Sequence, residues 1–373
     1  MQLWHDLMRG TQSLGRLLLA SLVLVLSGAA WGQSGYGFAD PNSYGIKVYR
    51  TESALYPYVQ VYFRTFDQEQ MPLINLNEMN IGVMVKGRPY DPMKRQYMVH
   101  SIRQRQEATR TVLVLDASGS MNGGPFNAAL RAAARYIDSK RPQDEIAVLA
   151  IRDSKQGYEV VSQFERDTNA LGRRLADIKA DGLKTRLYDT VGAAMQMCGM
   201  SAQGSVAPSA SNYVVSCSVV VVSDGKDEGS ALSREELMGR ITNLGIPLPI
   251  YSLAYTKVNP AYFKNLEALS KNSFGKYYLI GEAYDKMQKV VEEIQHIIQN
   301  DYVVTFRSYL PVDGEPHIFK VGIDYPARSG KYVYESSNFE AIQAPPVAEL
   351  QRQKEMLGQI LPTLPDGNPY FSE

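Results

Sequence analysis

The chain is poor in the residues that most catalytic and metal chemistry needs. Among 373 residues there are 2 cysteines and 4 histidines. Two cysteines cannot build a disulfide framework and are too few for a structural zinc site. The histidines His5, His100, His296 and His317 are scattered, with no H-E-x-x-H pair, so zinc-enzyme chemistry is not expected. Neither charge is in surplus: Lys plus Arg and Asp plus Glu each total 39. Phosphate binding needs a basic surplus on some face, so nothing here argues for nucleic acid. G-x-S-x-G and the P-loop are both missing, and Ser273-Phe-Gly-Lys276 fits S-x-x-K without its S-D-N and K-T-G companions. Outside the N-terminus no stretch approaches the ~18 apolar residues of a membrane span. What remains is ordinary globular usage, 45% apolar and 21% charged. That allows two to three domains at roughly 150 residues each.

The N-terminus has the layout of an export signal. Arg9 and Arg16 precede an unbroken apolar run from Leu17 to Leu26, followed by the small residues Ser27, Gly28, Ala29 and Ala30. A cleaved signal peptide within residues 1–32 is expected, and with it a secreted or periplasmic protein. The alternative is an N-terminal anchor, but the run to Trp31 is short of the ~20 residues that span a bilayer. Export also bears on Cys198 and Cys217. One ends a helical pattern and the other opens an apolar strand, with a Ser/Ala/Gly-rich insertion between them. They are either a disulfide or two buried thiols; an oxidising compartment favours the bridge.

The rest of the chain shows two kinds of pattern. Residues 45–107 read as strands, chiefly Tyr56–Phe66, Ile81–Val85 and Tyr97–Ile102, with a turn at Gly87 and Pro89. In the first of these Val59, Val61 and Phe63 share one face, and Tyr58, Gln60, Tyr62 and Arg64 the other. Residues 301–340 repeat this pattern through DYVVTFRSYL, HIFKVGIDYP and KYVYESSNF, and both flanks are rich in tyrosine, which suits strand surfaces. Between them strands and helices alternate. Thr111–Leu115, Glu145–Ile151, Tyr158–Phe164, Ser218–Val222, Ile250–Ala254 and Lys276–Ile280 read as strands. Helical spacing runs over Phe126–Ser139, Leu171–Ile178, Leu187–Met197, Ser233–Asn243, Ala261–Ser270 and Tyr284–Gln299. Ser233 and Glu236 form a capping box. Such alternation predicts an α/β fold with a doubly wound, mostly parallel sheet.

Within that region, Asp116-Ala117-Ser118-Gly119-Ser120 follows the first apolar strand directly. The C-terminal rim of an open α/β sheet is where ligands bind. One carboxylate and two hydroxyls on short side chains suit a hard cation such as Mg²⁺ or Mn²⁺, with Ca²⁺ as an alternative. Thr185, opening a helix, and Asp224, directly following SVVVVS, fall at the same rim.

Together these three pieces resemble the von Willebrand factor A (VWA) domain and its metal-ion-dependent adhesion site. The resemblance covers about residues 108–299 and implies Asp116, Ser118, Ser120, Thr185 and Asp224 as metal ligands, with an open position for a partner's carboxylate. Where the family usually has Gly-Gly before the threonine, this chain has Leu183-Lys184, which puts Lys184 at the ligand-facing rim; its charge either attracts an acidic ligand or weakens metal binding.

The first strand must start opposite Asp116, and the last helix returns to that same end. The flanks 45–107 and 300–340 therefore emerge as neighbours, and each alone has too few strands to bury a core. They are expected to pair into one β-sandwich interrupted by the α/β insertion. Residues 341–373 read as a short helix over 347–360 in a Pro-rich tail. The function expected from all this is an exported, non-enzymatic, metal-dependent protein-binding module that takes an Asp or Glu of its partner. The alternatives are a scaffold binding through its Tyr-rich sandwich and a metal-dependent hydrolase.

Overall fold

The computed structural model describes residues 44–343, 346 and 348, apart from 106, 153, 200–213, 245–246, 256–258 and 327–328. The expected export signal, most of the stretch between the cysteines and nearly all of the expected tail helix lie outside these residues. The elements in chain order begin with β1 (Gly45–Glu52), β2 (Tyr58–Phe66), β3 (Ile81–Val85), β4 (Arg88–Pro89) and β5 (Tyr97–Ser101). The alternating region follows: β6 (Ala108–Asp116), α1 (Gly124–Asp138), β7 (Glu145–Ile151), β8 (Tyr158–Glu165), α2 (Thr168–Ala176), α3 (Leu187–Met197) and β9 (Val214–Ser223). It continues with α4 (Arg234–Thr242), β10 (Ile250–Tyr255), α5 (Pro260–Asn272), β11 (Tyr277–Gly281) and α6 (Met287–Gln299). The chain then adds β12 (Tyr302–Arg307), β13 (Pro316–Ile323) and β14 (Val333–Glu340).

The central sheet has the order β11-β10-β9-β6-β7-β8, parallel throughout except for the edge pair β7–β8. Side chains alternate across it, and both faces are covered. Leu113, Leu115, Val220 and Val222 pack under α1 and α6, while Val112, Val114, Val219 and Val221 pack under α3, α4 and α5. Burial on both faces is why β9 reads as an unbroken valine run instead of an alternating one. The Ser233–Glu236 capping box forms and starts α4.

The flanks make two antiparallel four-stranded sheets, β1-β2-β12-β5 and β14-β13-β3-β4. Each contains strands from both sides of the α/β region. Val304 of β12 sits between Val61 of β2 and Val99 of β5, and Val321 of β13 lies opposite Val83 of β3. The two sheets share one core, in which Val59, Val61, Phe63 and Phe306 meet Val83, Val85, Phe319 and Phe339. Phe306 approaches Phe339 at 5.7 Å and Phe319 at 6.1 Å between ring centres. Without β12, strand β5 has no neighbour in its sheet, so neither flank is self-sufficient. Excising 110–299 and joining the flanks should give a folded all-β product with a cooperative urea transition. An unfolded product would show that the sandwich depends on the insertion.

The second face of β2 is covered as well: Gln60 and Tyr62 are buried, and the Arg64 guanidinium pairs with Asp301 at 2.7 and 2.8 Å. This face turns toward the base of the α/β region, where Arg105, fully buried, bonds Glu107 and Gln60. The flank tyrosines are divided: Tyr56, Tyr62, Tyr90, Tyr97 and Tyr302 are buried, Tyr44, Tyr49, Tyr58, Tyr309, Tyr325 and Tyr332 are half-buried, and Tyr334 is exposed.

Cys198 and Cys217 are joined, 5.8 Å apart at Cα, tying the end of α3 to β9. With 19 residues of separation, the chain-entropy account gives about 3 kcal/mol. The Cys198→Ala/Cys217→Ala pair should lose about that much in urea unfolding. A loss below ~1 kcal/mol would mean that strain or residual structure cancels the crosslink.

Candidate functional site

Three loops meet at the C-terminal rim of the central sheet, and backbone hydrogen bonds tie them together. Gly182 N–H donates to the Ala117 carbonyl at 3.1 Å, and Gly119 N–H donates to the Gly182 carbonyl at 2.7 Å. Glu228 N–H donates to the Thr185 carbonyl at 2.5 Å. The segment 182–185 is therefore held between the loop after β6 and the loop after β9. The approach at Gly182 is tight, since a Cβ there would lie 3.0 Å from the Arg152 Cα. Gly225 is more constrained still: at φ +80, a Cβ would meet the Tyr262 carbonyl oxygen at 2.5 Å.

These contacts bring four of the five expected residues into one cluster. Ser118 donates to Asp116 Oδ1 through its N–H (3.1 Å) and its hydroxyl (2.6 Å), and the Ser118 and Ser120 hydroxyls lie 3.1 Å apart. The Ser120 hydroxyl also faces the Asp224 carboxylate, whose Oδ1 accepts from Lys226 N–H at 2.9 Å. Thr185 is buried at the edge of the cluster, placed there by its backbone. Lys184 is exposed beside Leu183, itself 83% exposed, so the two residues that replace the family's glycines project from a pinned loop.

The cluster is electrostatically tense. Burial, then the neighbouring Asp224 charge, push the Asp116 carboxyl up to about 6 despite its hydrogen bonds. Burial likewise raises Asp224. The other rim carboxylates hold loops in place. Asp189 accepts from the N–H groups of Ala231 and Leu232, both at 2.9 Å, and Asp227 accepts from the Ser230 hydroxyl at 2.6 Å. Among the described residues no group of three His, Cys, Asp or Glu gathers as a metal site. The rim cluster is of another type, two carboxylates with hydroxyls.

Sequence reading passed over two participants. The Ser223 hydroxyl donates to Asp116 Oδ2 at 2.7 Å and accepts from Gly225 N–H. Its signal was its place as the last residue of β9, next to Asp224. Tyr255, the last residue of β10, lies fully buried near both carboxylates.

Residues 111–226, which include all five expected ligands, match the family model for the von Willebrand factor type A domain. The chain carries a VWA domain. Domains of this kind are in general protein-interaction modules. Among solved structures, the VWA domain of SpRpn10 is similar at 15% identity and TM-score 0.38, over 50% of this chain and 94% of that one. A von Willebrand factor type A protein from Catenulispora acidiphila is similar at 12% identity and TM-score 0.43, over 86% of this chain and 77% of that one. Three N-terminal domains of the type V pili tip protein Mfa5 from Porphyromonas gingivalis align at 13% identity and TM-score 0.26, over 50% of this chain and 27% of that one. No curated protein matches the chain.

Proposed function

We propose that this is an exported, metal-dependent protein-binding module whose VWA rim captures an acidic residue of its partner. The observation that carries the reading is the rim cluster, in which Asp116, Ser118, Ser120 and Asp224 converge from two loops with Thr185 buried beside them. The donor set fits a hard divalent cation: short oxygen side chains, two carboxylates and no sulfur or imidazole. Two buried carboxylates that raise each other's burden are also relieved by a nearby positive charge. A bound ion there would supply an open coordination position for a partner's carboxylate. Asp116, Ser118, Ser120, Thr185 and Asp224 would hold it, and exposed Lys184 would draw an acidic partner toward the rim. Among the described residues no histidine or cysteine bonds to either carboxylate, which favours binding over turnover as the reading of the cluster. For export, the support is the n, h and c layout of residues 1–32 together with a buried disulfide, which persists in oxidising compartments.

The test is cross-linking capture from the native envelope with the full-length protein, in Mg²⁺ and in EDTA. Capture should be lost in EDTA and restored by Mg²⁺. Chelator-independent capture of the same partner would overturn the metal-dependent reading.

A further inference from the structure

We infer that Tyr255 is a positioning residue of the rim cluster, its hydroxyl donating to the Asp224 carboxylate when the cluster holds a divalent cation. This rests on the cation reading proposed above. Strands β10 and β9 run parallel and in register, with Leu253 beside Val222 and Ala254 beside Ser223. The pairing ends there, and each chain takes one further step to the rim, Tyr255 as the last residue of β10 and Asp224 as the first residue after β9. Tyr251, Leu253 and Tyr255 line the same layer as Val220 and Val222, so Tyr255 leaves the sheet on the side where the alternation also puts Asp224.

The ring is fully buried and edge-on to Tyr284, with centres 6.3 Å apart. Its hydroxyl has no hydrogen-bond partner among the described residues. A buried phenol normally finds one, and an orphan of this kind calls for an explanation. Tyr251, two steps of the alternation away on the same face, is no substitute, because it borders the Arg64–Asp301 pair at the other end of the strand. At the rim, after burial, the charges felt by the Tyr255 hydroxyl are those of Asp116 and Asp224.

Of these two carboxylates, Asp116 already accepts three donors, from Ser118 N–H, the Ser118 hydroxyl and the Ser223 hydroxyl. Asp224 accepts from Lys226 N–H and faces Ser120, which leaves acceptor capacity on a group with about four acceptor sites. With an ion held there, the Tyr255 hydroxyl would reach the Asp224 carboxylate directly or through one bridging water. That bond fixes the carboxylate's orientation without itself touching the ion.

Tyr255→Phe removes the hydroxyl and keeps the ring. Titration calorimetry with Mn²⁺ and with Mg²⁺ alone on the full chain, paired with thermal melts in EDTA, separates the possibilities. Uptake about tenfold weaker than wild type, with an EDTA melting temperature equal or higher, is the expected result. Wild-type affinity in the variant would overturn the inference and leave the functional reading standing. A melting temperature in EDTA that falls along with the affinity would also overturn it, assigning the hydroxyl to packing alone. If the wild-type protein itself takes up neither ion, the functional reading fails and this inference with it.

Discussion

Asp116→Asn should abolish Mg²⁺ uptake and, in EDTA at pH 7.5, raise the melting temperature. The two effects have one cause. Raising a carboxyl from 3.8 to about 6 means that its ionised form costs about 3 kcal/mol in the folded state. The sign follows from linkage. Between about pH 4 and pH 6 the folded protein holds a proton that the unfolded chain releases, so cation-free stability falls as pH rises through this window and stays low above it. Asparagine has the same shape and no charge to desolvate. Its oxygen can keep the Ser118 bonds, and its amide can donate to the Ser223 hydroxyl. The gain above pH 6 should approach 2–3 kcal/mol, or roughly 5–10 °C, and vanish near pH 4. A cation reverses the order, because it needs the ionised carboxylate and competes with the proton. Wild-type affinity should therefore drop by up to about tenfold per pH unit below pH 6. Melts at pH 4, 6 and 8, with Mg²⁺ and with EDTA, check all of this in one series. A variant that still takes up Mg²⁺ with wild-type affinity would remove Asp116 from the ligand set.

Much of this architecture was legible in the sequence because local pattern and global fold agree. The apolar runs of β6 and β9 and the 3.6-residue spacing of the helices gave element positions within a few residues. Glu145–Ile151 and Leu187–Met197 recur with the expected bounds. The interleaving of the flanks followed from direction alone: a first strand pointing at the rim and a last helix pointing away deliver both chain ends to the same place. Hidden from pattern reading was the polar layer under the sandwich. An alternating strand such as YVQVYFRTF reads as one wet face and one dry face, yet Gln60 and Tyr62 are as buried as Val59 and Val61. Hydrophobic periodicity registers only apolar partners. A face that packs through guanidinium, carboxylate and amide groups looks the same in sequence as one facing water. Tyr255 was missed for the complementary reason. An aromatic residue ending an apolar strand reads as core, and only the folded arrangement brings it near the two rim carboxylates.

That polar layer should respond sharply to Glu107→Ala, with a loss of about 3–5 kcal/mol. Arg105 is fully buried; its Nε donates to both Glu107 oxygens at 2.8 Å, and its Nη2 reaches Gln60 Oε1 at 2.5 Å. Removing the carboxylate leaves a guanidinium charge inside the protein without its counterion, which costs far more than the net value of an intact pair. The position magnifies the effect. Residues 102–109 carry the chain from β5 into β6. Arg141 grips that passage, donating to the carbonyls of Ile102 (2.5 Å), Arg105 (3.2 Å) and Glu107 (3.0 Å). Arg141 is itself held by Asp144 at 2.7 Å, and Asp144 also accepts from Thr109 N–H at 2.9 Å. One set of bonds thus joins the sandwich to the base of the α/β region, and weakening it should uncouple them. Calorimetric scans are expected to show one transition for the wild type and two for Glu107→Ala. Replacing both partners with apolar residues, Arg105→Met with Glu107→Leu, removes the stranded charge and should recover most of the loss. If Glu107→Ala costs under ~1 kcal/mol, water must reach Arg105 and the layer is not the closed joint described here. If the double variant is as unstable as the single, the pair contributes through geometry that apolar side chains cannot reproduce. The link between the sandwich and the α/β region would then run through these specific hydrogen bonds.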